Sequence, residues 1–301
     1  MIAGSGFVGT HLEAAWVREL VTRTLAEDLG VGSEHGYAGH DVTSEATVPA
    51  DQSDTADIVA RASGVLAGLP VALAVFLACC EGAEFTIGQR EGATVQSGDV
   101  VATITGQTRG LLAAERSALN LLCRASGIAT VTHAWVQAVA GTGARILDTR
   151  KTTPGLRALE KYAVRVGGGH NKRSGLYDVA MIKDNHVLAA GGMLPAMQRV
   201  RRRFPDIALQ VEVTTVQMAI DAVQAGATFL LCDNMTPDVL ADVVGAVGGR
   251  AELEATGGLA LDRAREYAET GVDYLSVGAL THSAPILDLA LDLRARDLRT
   301  G

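Results

Sequence analysis

The chain has 301 residues, is 48% apolar and carries a formal net charge of −8. That length supports one large domain or two modest ones with real cores, and the acidic balance argues against nucleic acid or an anionic membrane as the main partner. The four cysteines, Cys79, Cys80, Cys123 and Cys232, show neither C-x-x-C nor zinc-type spacing, which points to buried, reduced thiols in a cytoplasmic protein.

The first segment, Gly4-Ser5-Gly6-Phe7-Val8-Gly9, matches G-x-G-x-x-G, but only three residues precede it. A dinucleotide fingerprint needs a strand there, so the segment reads as a lead-in, and no basic-then-apolar signal pattern accompanies it. Thr10 and Glu13 have capping-box spacing and predict a helix over 11–29 ending near Gly30. Short strands follow at 57–62 and 64–67. Pro70 fits the first turn of a buried helix over 71–80. The longest uncharged stretch, Gly64 to Cys80, is interrupted by Gly68 and Pro70 and is too short to span a membrane. Residues 93–104 alternate around Ser97-Gly98-Asp99 and predict a hairpin. Two helices, 110–124 and 127–140, complete an α+β region.

From Arg145 the pattern becomes regular. Short β-rich runs at 145–147, 179–182, 209–213, 229–232, 251–253 and 274–277 alternate with helical segments at 156–166, 194–203, 215–225, 237–246 and 260–270. Repeated βα units predict a parallel sheet, and six in succession favour an α/β barrel over an open sheet. The runs end in Asp148-Thr149-Arg150-Lys151, Lys183-Asp184, Glu212, Asp233, Glu254-Ala255-Thr256 and Gly278. A barrel gathers such ends on one face, where active sites sit.

Charge singles out part of this region. Residues 148–186 hold eight Lys or Arg against four Asp or Glu, a local +4 that leaves −12 on the rest of the chain. Arg157, Lys161 and Arg165 follow a helical pattern and read as solvated. The basic run Arg199, Arg201, Arg202 and Arg203 reads as a solvated helix end. Arg150, Lys151, Lys172, Arg173 and Lys183 instead lie at strand ends or beside glycines, which suits a small polyanion. Thr256-Gly257-Gly258 and Gly278-Ala279-Leu280-Thr281-His282 follow the last two strands, where a barrel often holds phosphate.

In order, D-T-R-K-T-T-P-G-L-R at 148–157, G-G-G-x-N-x-R at 167–173, I-K-D-N-H at 182–186, V-E-V at 211–213, C-D-N-M at 232–235 and A-L-T-H at 279–282 resemble the quinolinate phosphoribosyltransferase family (carboxylating nicotinate-nucleotide diphosphorylase). E-D-L-G, D-V-T-S-E-A-T-V-P, G-V-L-A-G-L and E-R-S-A-L-N extend the resemblance upstream, so that it covers residues 25–291. The resemblance implies an incomplete α/β barrel over 126–283 with an N-terminal α/β sandwich domain over 1–125, joined by a C-terminal helix over 284–301. It implies a cytoplasmic homodimer or higher oligomer with shared active sites. It also implies transfer of phosphoribose from phosphoribosyl pyrophosphate to quinolinate, giving nicotinate mononucleotide, pyrophosphate and carbon dioxide for NAD synthesis, with Mg2+.

Carried over by position, Arg116 resembles the arginine that reaches quinolinate across the dimer. Arg150 and Arg173 match the arginines on its carboxylates, with Lys172 beside them. Lys151 and Lys183 match lysines near the substrate and pyrophosphate. Glu212 and Asp233 match the acids that face the ribose hydroxyls and the metal. Thr256, Gly257, Gly258, Gly278 and His282 match the 5′-phosphate site. Two positions depart from the family: Lys172 stands where His is usual, and Thr256 where Ser is usual. Threonine keeps the hydroxyl. Lys172 opens an alternative, a paralogue that uses another pyridine or aromatic carboxylate. A non-catalytic binder or a nicotinamide-dependent reductase fits the charged strand ends less well.

Overall fold

The computed structural model describes residues 12–294, so the Gly4–Gly9 segment and Thr10 lie outside the described residues. In chain order the elements begin with α1 (Ala14–Asp28), α2 (Val42–Thr47), β1 (Ser53–Ala60), β2 (Gly64–Val65), α3 (Leu69–Cys79), β3 (Glu84–Ile87), β4 (Thr94–Val95), β5 (Val100–Gln107) and α4 (Thr108–Ala138). They continue with β6 (Arg145–Leu147), α5 (Arg157–Val166), β7 (Val179–Ile182), α6 (Asp184–Ala190), α7 (Met193–Arg203), β8 (Ala208–Val213), α8 (Val216–Gln224), β9 (Phe229–Asp233), α9 (Pro237–Val247) and β10 (Glu252–Thr256). A 3-10 turn at Leu261–Arg263 leads into α10 (Ala264–Ala268), followed by β11 (Tyr274–Ser276), α11 (Ala279–His282) and β12 (Leu289–Leu293).

The described residues divide into two compact units, one of residues 12–130, 158–167 and 284–294, the other of 131–157 and 168–283. In the first unit an antiparallel sheet has the order β12-β1-β5-β3, and β2 pairs with β4 separately. The expected hairpin over 93–104 is therefore only half correct. Its turn forms, with Gly98 at φ 95 and the Gln96 N–H donating to Asp99 Oδ2 at 2.8 Å. Its arms diverge, because β4 goes to β2 while β5 lies between β1 and β3.

The two helices expected around residue 125 are one, α4. Gly127 does not break it; the missing Cβ lets the Pro285 carbonyl lie against the helix. Leu111, Ala114, Ala118, Leu122, Ala125 and Ala129 are buried at intervals of three and four, the stripe of a helix facing a core. The helix expected over 284–301 is also corrected. Its described part holds β12, antiparallel to β1 from Ala56↔Leu293 to Ala60↔Leu289. The alternating Leu-Ala-Leu-Asp-Leu suits a strand with one buried face. Arg61–Asp292 and Arg294–Asp57 ion pairs tie its ends to β1.

Residues 158–167, expected in the barrel, belong to the first unit because α5 buries Leu159, Tyr162, Ala163 and Val164 there. The Glu160 carboxylate receives Arg124 at 2.9 Å, and Lys161 is buried rather than solvated. Tyr162 donates to Glu91 at 2.7 Å. Glu91 also accepts the backbone N–H groups of Gly68 and Leu69, so it caps the apolar helix α3 at its positive end.

The second unit carries six parallel strands in the order β6-β11-β10-β9-β8-β7. β6 and β7 are consecutive in the chain yet occupy opposite edges, which leaves the cylinder incomplete. The strands are nearly continuous apolar runs, as expected where both faces are covered. Leu230, Leu231, Val211, Val213, Leu253, Ala255 and Leu275 are buried. The segment after α5 extends the edge at β6, with His170 bridging to Leu147. Among the described residues no helix is long and apolar enough to cross a membrane. All four cysteines are free; Cys80, Cys123 and Cys232 are buried and Cys79 is half-buried.

The Glu91 carboxyl gives a pH prediction. Burial raises its pKa above the ordinary 4.5, and the Gly68, Tyr162 and Leu69 donors oppose that shift. A raised acid stabilises the fold below its unfolded pKa and loses that contribution as pH rises through the folded value. The stability advantage of the unmodified protein over Glu91→Gln should therefore shrink as pH rises from below 4.5, measured by urea unfolding at a series of pH values.

Candidate active site

The C-terminal strand ends bring most of the predicted residues to one face of the second unit. Asp148 directly follows β6 and is fully buried. Its carboxylate accepts the Asn171 side-chain amide at 2.6 Å and the Lys172 backbone N–H at 2.8 Å. The glycine-rich segment is thereby fastened beside β6, with Arg150 on one side of the junction and Arg173 on the other. Arg157 adds a second fastening. Its guanidinium donates to Thr152 Oγ1 at 2.9 Å, the Ser174 carbonyl at 3.0 Å and the Arg150 carbonyl at 3.4 Å. The expectation that Arg157 is merely solvated is thus wrong; it holds both loops that carry the site arginines.

Arg150, Arg173, Lys183 and His186 line one hollow of about 620 Å³, together with β7 and part of α7. The Arg173 guanidinium donates to the Val179 carbonyl at 3.2 Å. Burial, followed by the nearby Arg150 charge, lowers its pKa from the ordinary value. An arginine stays protonated regardless, so the hollow holds like charges together at a cost that an anionic ligand would offset. Arg199 of the basic run also lines this hollow, while Arg201 bonds the Ala225 and Gly226 carbonyls.

Two lysine–glutamate pairs stand on the sheet. Lys183 Nζ lies 2.5 Å from Glu212 Oε2; the lysine side chain is 45% exposed and the glutamate 8%. Lys172 Nζ pairs with Glu254, with side-chain exposures of 8% and 0%. Glu212 and Glu254 face the same residue of the intervening strand, Leu231, from β8 and β10. Paired positions share a face, so the acids sit level, two strand spacings or about 10 Å apart. This changes the expected role of Lys172. Its ammonium is engaged within the protein and does not line the hollow that holds Arg150 and Arg173.

The remaining positions form a second group. Asp233 ends β9 and accepts the Asn234 amide at 2.8 Å. Asn234 has φ 54 and donates its N–H to the Thr256 carbonyl at 2.9 Å, joining the loops after β9 and β10. Gly257, at φ 93, packs against the Asn234 side chain where a Cβ would collide, and Gly258 faces open space. A Cβ on Gly278 would lie 3.0 Å from Lys151 Cδ and 3.2 Å from His282 Nε2, so the glycine lets these two basic groups approach one point. Thr281 Oγ1 donates to the Lys151 carbonyl at 2.8 Å and secures that approach. Arg116 belongs to the first unit and is exposed on α4.

Sequence reasoning did not assign Asp148, Arg157, His186, Asn234 or Glu254 to the site. The signal for Glu254 was its place in an apolar strand within a chain that also had one lysine more than the motif requires. His186 stood in I-K-D-N-H; its Nδ1 accepts the Lys183 N–H at 3.1 Å and orients the turn into α6.

Metal capacity is modest. Among the described residues no three His, Cys, Asp or Glu side chains form a metal-binding group. Mg2+ usually needs only one or two carboxylates when phosphates and waters complete its shell. Asp233 fits that role, and Glu212 fits it once Lys183 is displaced.

The chain matches the family model for the C-terminal domain of quinolinate phosphoribosyl transferase over residues 128–292, and the model for its N-terminal domain over 41–126. It is 48% identical over 281 residues to the nicotinate-nucleotide pyrophosphorylase [carboxylating] of Mycobacterium leprae, covering 92% of this chain and 96% of that one. It is 38% identical to the probable enzyme of the same name from Bacillus subtilis, covering 94% of each chain. The crystal structure of NadC from Streptococcus pyogenes superposes with a TM-score of 0.88 at 34% identity, over 94% of this chain and 99% of that one. The nicotinate-nucleotide pyrophosphorylase from Francisella tularensis gives 0.87 at 31% identity, over 95% and 98%. With both domain models matched and similarity running along nearly the whole length, the chain belongs to the quinolinate phosphoribosyltransferase family.

Proposed function

We propose that the protein transfers phosphoribose from phosphoribosyl pyrophosphate to quinolinate and decarboxylates the product, giving nicotinate mononucleotide, pyrophosphate and carbon dioxide in de novo NAD synthesis. The observation that carries this reading is the hollow where Arg150, Arg173 and Lys183 meet. Bidentate guanidinium groups match a planar dicarboxylate better than ammonium groups do. The names of the relatives agree with it. The alternative of a paralogue acting on another carboxylate finds no support. It rested on Lys172 standing where the family usually has His, and that side chain is paired with Glu254.

The residues divide the work by charge. Arg150 and Arg173 hold the acid so that its ring nitrogen, already a nucleophile, faces the ribose carbon. No general base is needed. As the C–O bond to pyrophosphate breaks, positive charge develops on the ribose, and Glu212 and Asp233 are the carboxylates placed to stabilise it. Lys183 can pass from Glu212 to the departing pyrophosphate, which frees the acid as the leaving group gains charge. Lys151 stands near the same group. Thr256, Gly257, Gly258, Gly278 and His282 receive the 5′-phosphate. The new bond quaternises the ring nitrogen; the adjacent C–CO2 bond then breaks, its electron pair stays on the ring carbon beside the cationic nitrogen as carbon dioxide leaves, and that carbon takes up a proton from water to give nicotinate mononucleotide. Most of the rate enhancement comes from positioning and electrostatics. Mg2+, held by Asp233 and Glu212, would offset charge on pyrophosphate.

The unmodified protein should release carbon dioxide from quinolinate, but should form no mononucleotide from nicotinate. Arg150→Ala should lower kcat/KM for quinolinate by about 30-fold or more, the loss of a charge-assisted pair, with an unchanged melting temperature. Equal turnover by the variant would remove Arg150 from the site. Chelation with EDTA should abolish turnover and Mg2+ should restore it; full activity after chelation would exclude the metal.

We further propose a cytoplasmic homodimer in which Arg116 completes the neighbouring subunit's site. Coexpressed Arg116→Ala and Arg150→Ala chains should then recover about a quarter of the unmodified rate through mixed two-fold dimers. No recovery over the separate variants would defeat the shared site.

A further inference from the structure

The two Lys–Glu pairs have similar chemistry and opposite accessibility. In Lys183–Glu212 the lysine is nearly half exposed, so a substrate anion can draw it away. In Lys172–Glu254 both side chains are sealed, at 8% and 0% exposure. Glu254 Oε2 is buried with no hydrogen-bond partner among the described residues, which makes its charge depend on the lysine at Oε1. Burial in turn presses Lys172 towards its neutral form, and the Glu254 charge opposes that.

The Lys172 backbone is independently fixed. Its N–H is held by Asp148, and Asn171 holds the other Asp148 oxygen. The side chain therefore spans from the edge at β6 to β10, beyond the intervening β11. Arg173 follows directly, and Arg150 lies two residues after Asp148. A tie anchored at both ends fixes the two loops that present the guanidinium groups.

We infer that Lys172–Glu254 is an internal strut that positions Arg150 and Arg173 for the dicarboxylate, and that Lys172 is a positioning residue rather than a substrate ligand. The inference rests on the proposed quinolinate reaction and adds a specificity role for Glu254, a residue of strand β10. Breaking one end leaves a buried charge unpaired and loosens both loops. Replacing both ends by neutral groups of similar size removes the charge problem and keeps the packing.

Lys172→Met, Glu254→Gln and the double variant separate strut from ligand. Each single change should raise the quinolinate KM by about ten-fold or more, with a smaller effect on the KM for phosphoribosyl pyrophosphate, and the double variant should return to within about three-fold of the unmodified value. A direct ligand gives the opposite result: the double variant is as impaired as Lys172→Met, and the inference fails. Thermal unfolding of the same four proteins supplies a readout independent of turnover. Each single change should lower the melting temperature and the double variant should regain much of the loss; additive losses would overturn the inference even if a single variant did not fold well enough to assay. Absence of quinolinate turnover by the unmodified protein would sink the proposed reaction, and the unfolding cycle would still decide whether the strut exists.

Discussion

A buried carboxylate must find donors or lose its charge, and Asp148 meets that constraint with the Asn171 amide and the Lys172 backbone N–H. Much of the second unit's chemistry follows from this arrangement. The donors come from the segment after α5, so satisfying Asp148 fixes that segment beside β6 and adds His170 to the sheet edge. Arg150 and Arg173 then project from two loops joined at one point, with Arg157 tying the loops a second time. The cationic hollow is held by hydrogen bonds to oxygen atoms and not by attraction among its own members, which repel.

The charge excess between residues 148 and 186 is accordingly partitioned. Lys172 is neutralised by an acid from a distant strand, Lys183 is paired but accessible, and Arg150 and Arg173 share the hollow. The sum of charge in a segment therefore overstates the charge a ligand meets. What matters is which cations have an internal acid and which of those acids a ligand can displace.

Most of the strand ends were legible because each apolar run stopped at a polar residue, and repeated βα units permit few topologies. Arg150, Lys183, Glu212 and Asp233 were accessible to that logic. Lys172 was not, because its partner lies 82 positions along the chain and pairing at that range leaves no local pattern. The hairpin over 93–104 failed for a related reason: alternation reports a strand and its turn, but not which neighbour accepts its hydrogen bonds. The division into helices over 110–124 and 127–140 failed in another way. The helix runs on through Gly127, whose missing Cβ makes room for a backbone carbonyl. The segment after 284 was expected to be helical from the resemblance alone, while its own Leu-Ala-Leu-Asp-Leu alternates as a strand does.

The pairing of β12 with β1 bears on how the polypeptide matures during synthesis. β1 begins at Ser53 and its partner finishes at Leu293, so the first sheet cannot be completed until Leu293 has left the ribosome, some 230 residues after β1. Throughout that interval one edge of β1 offers unpaired amide and carbonyl groups, the kind of template on which nascent chains associate wrongly. The parallel strands of the second unit are contiguous in the sequence from β6 to β11 and can assemble in the meantime. The order of emergence therefore closes the first sheet only after the strands of the second unit have emerged, although its first strand is translated long before them.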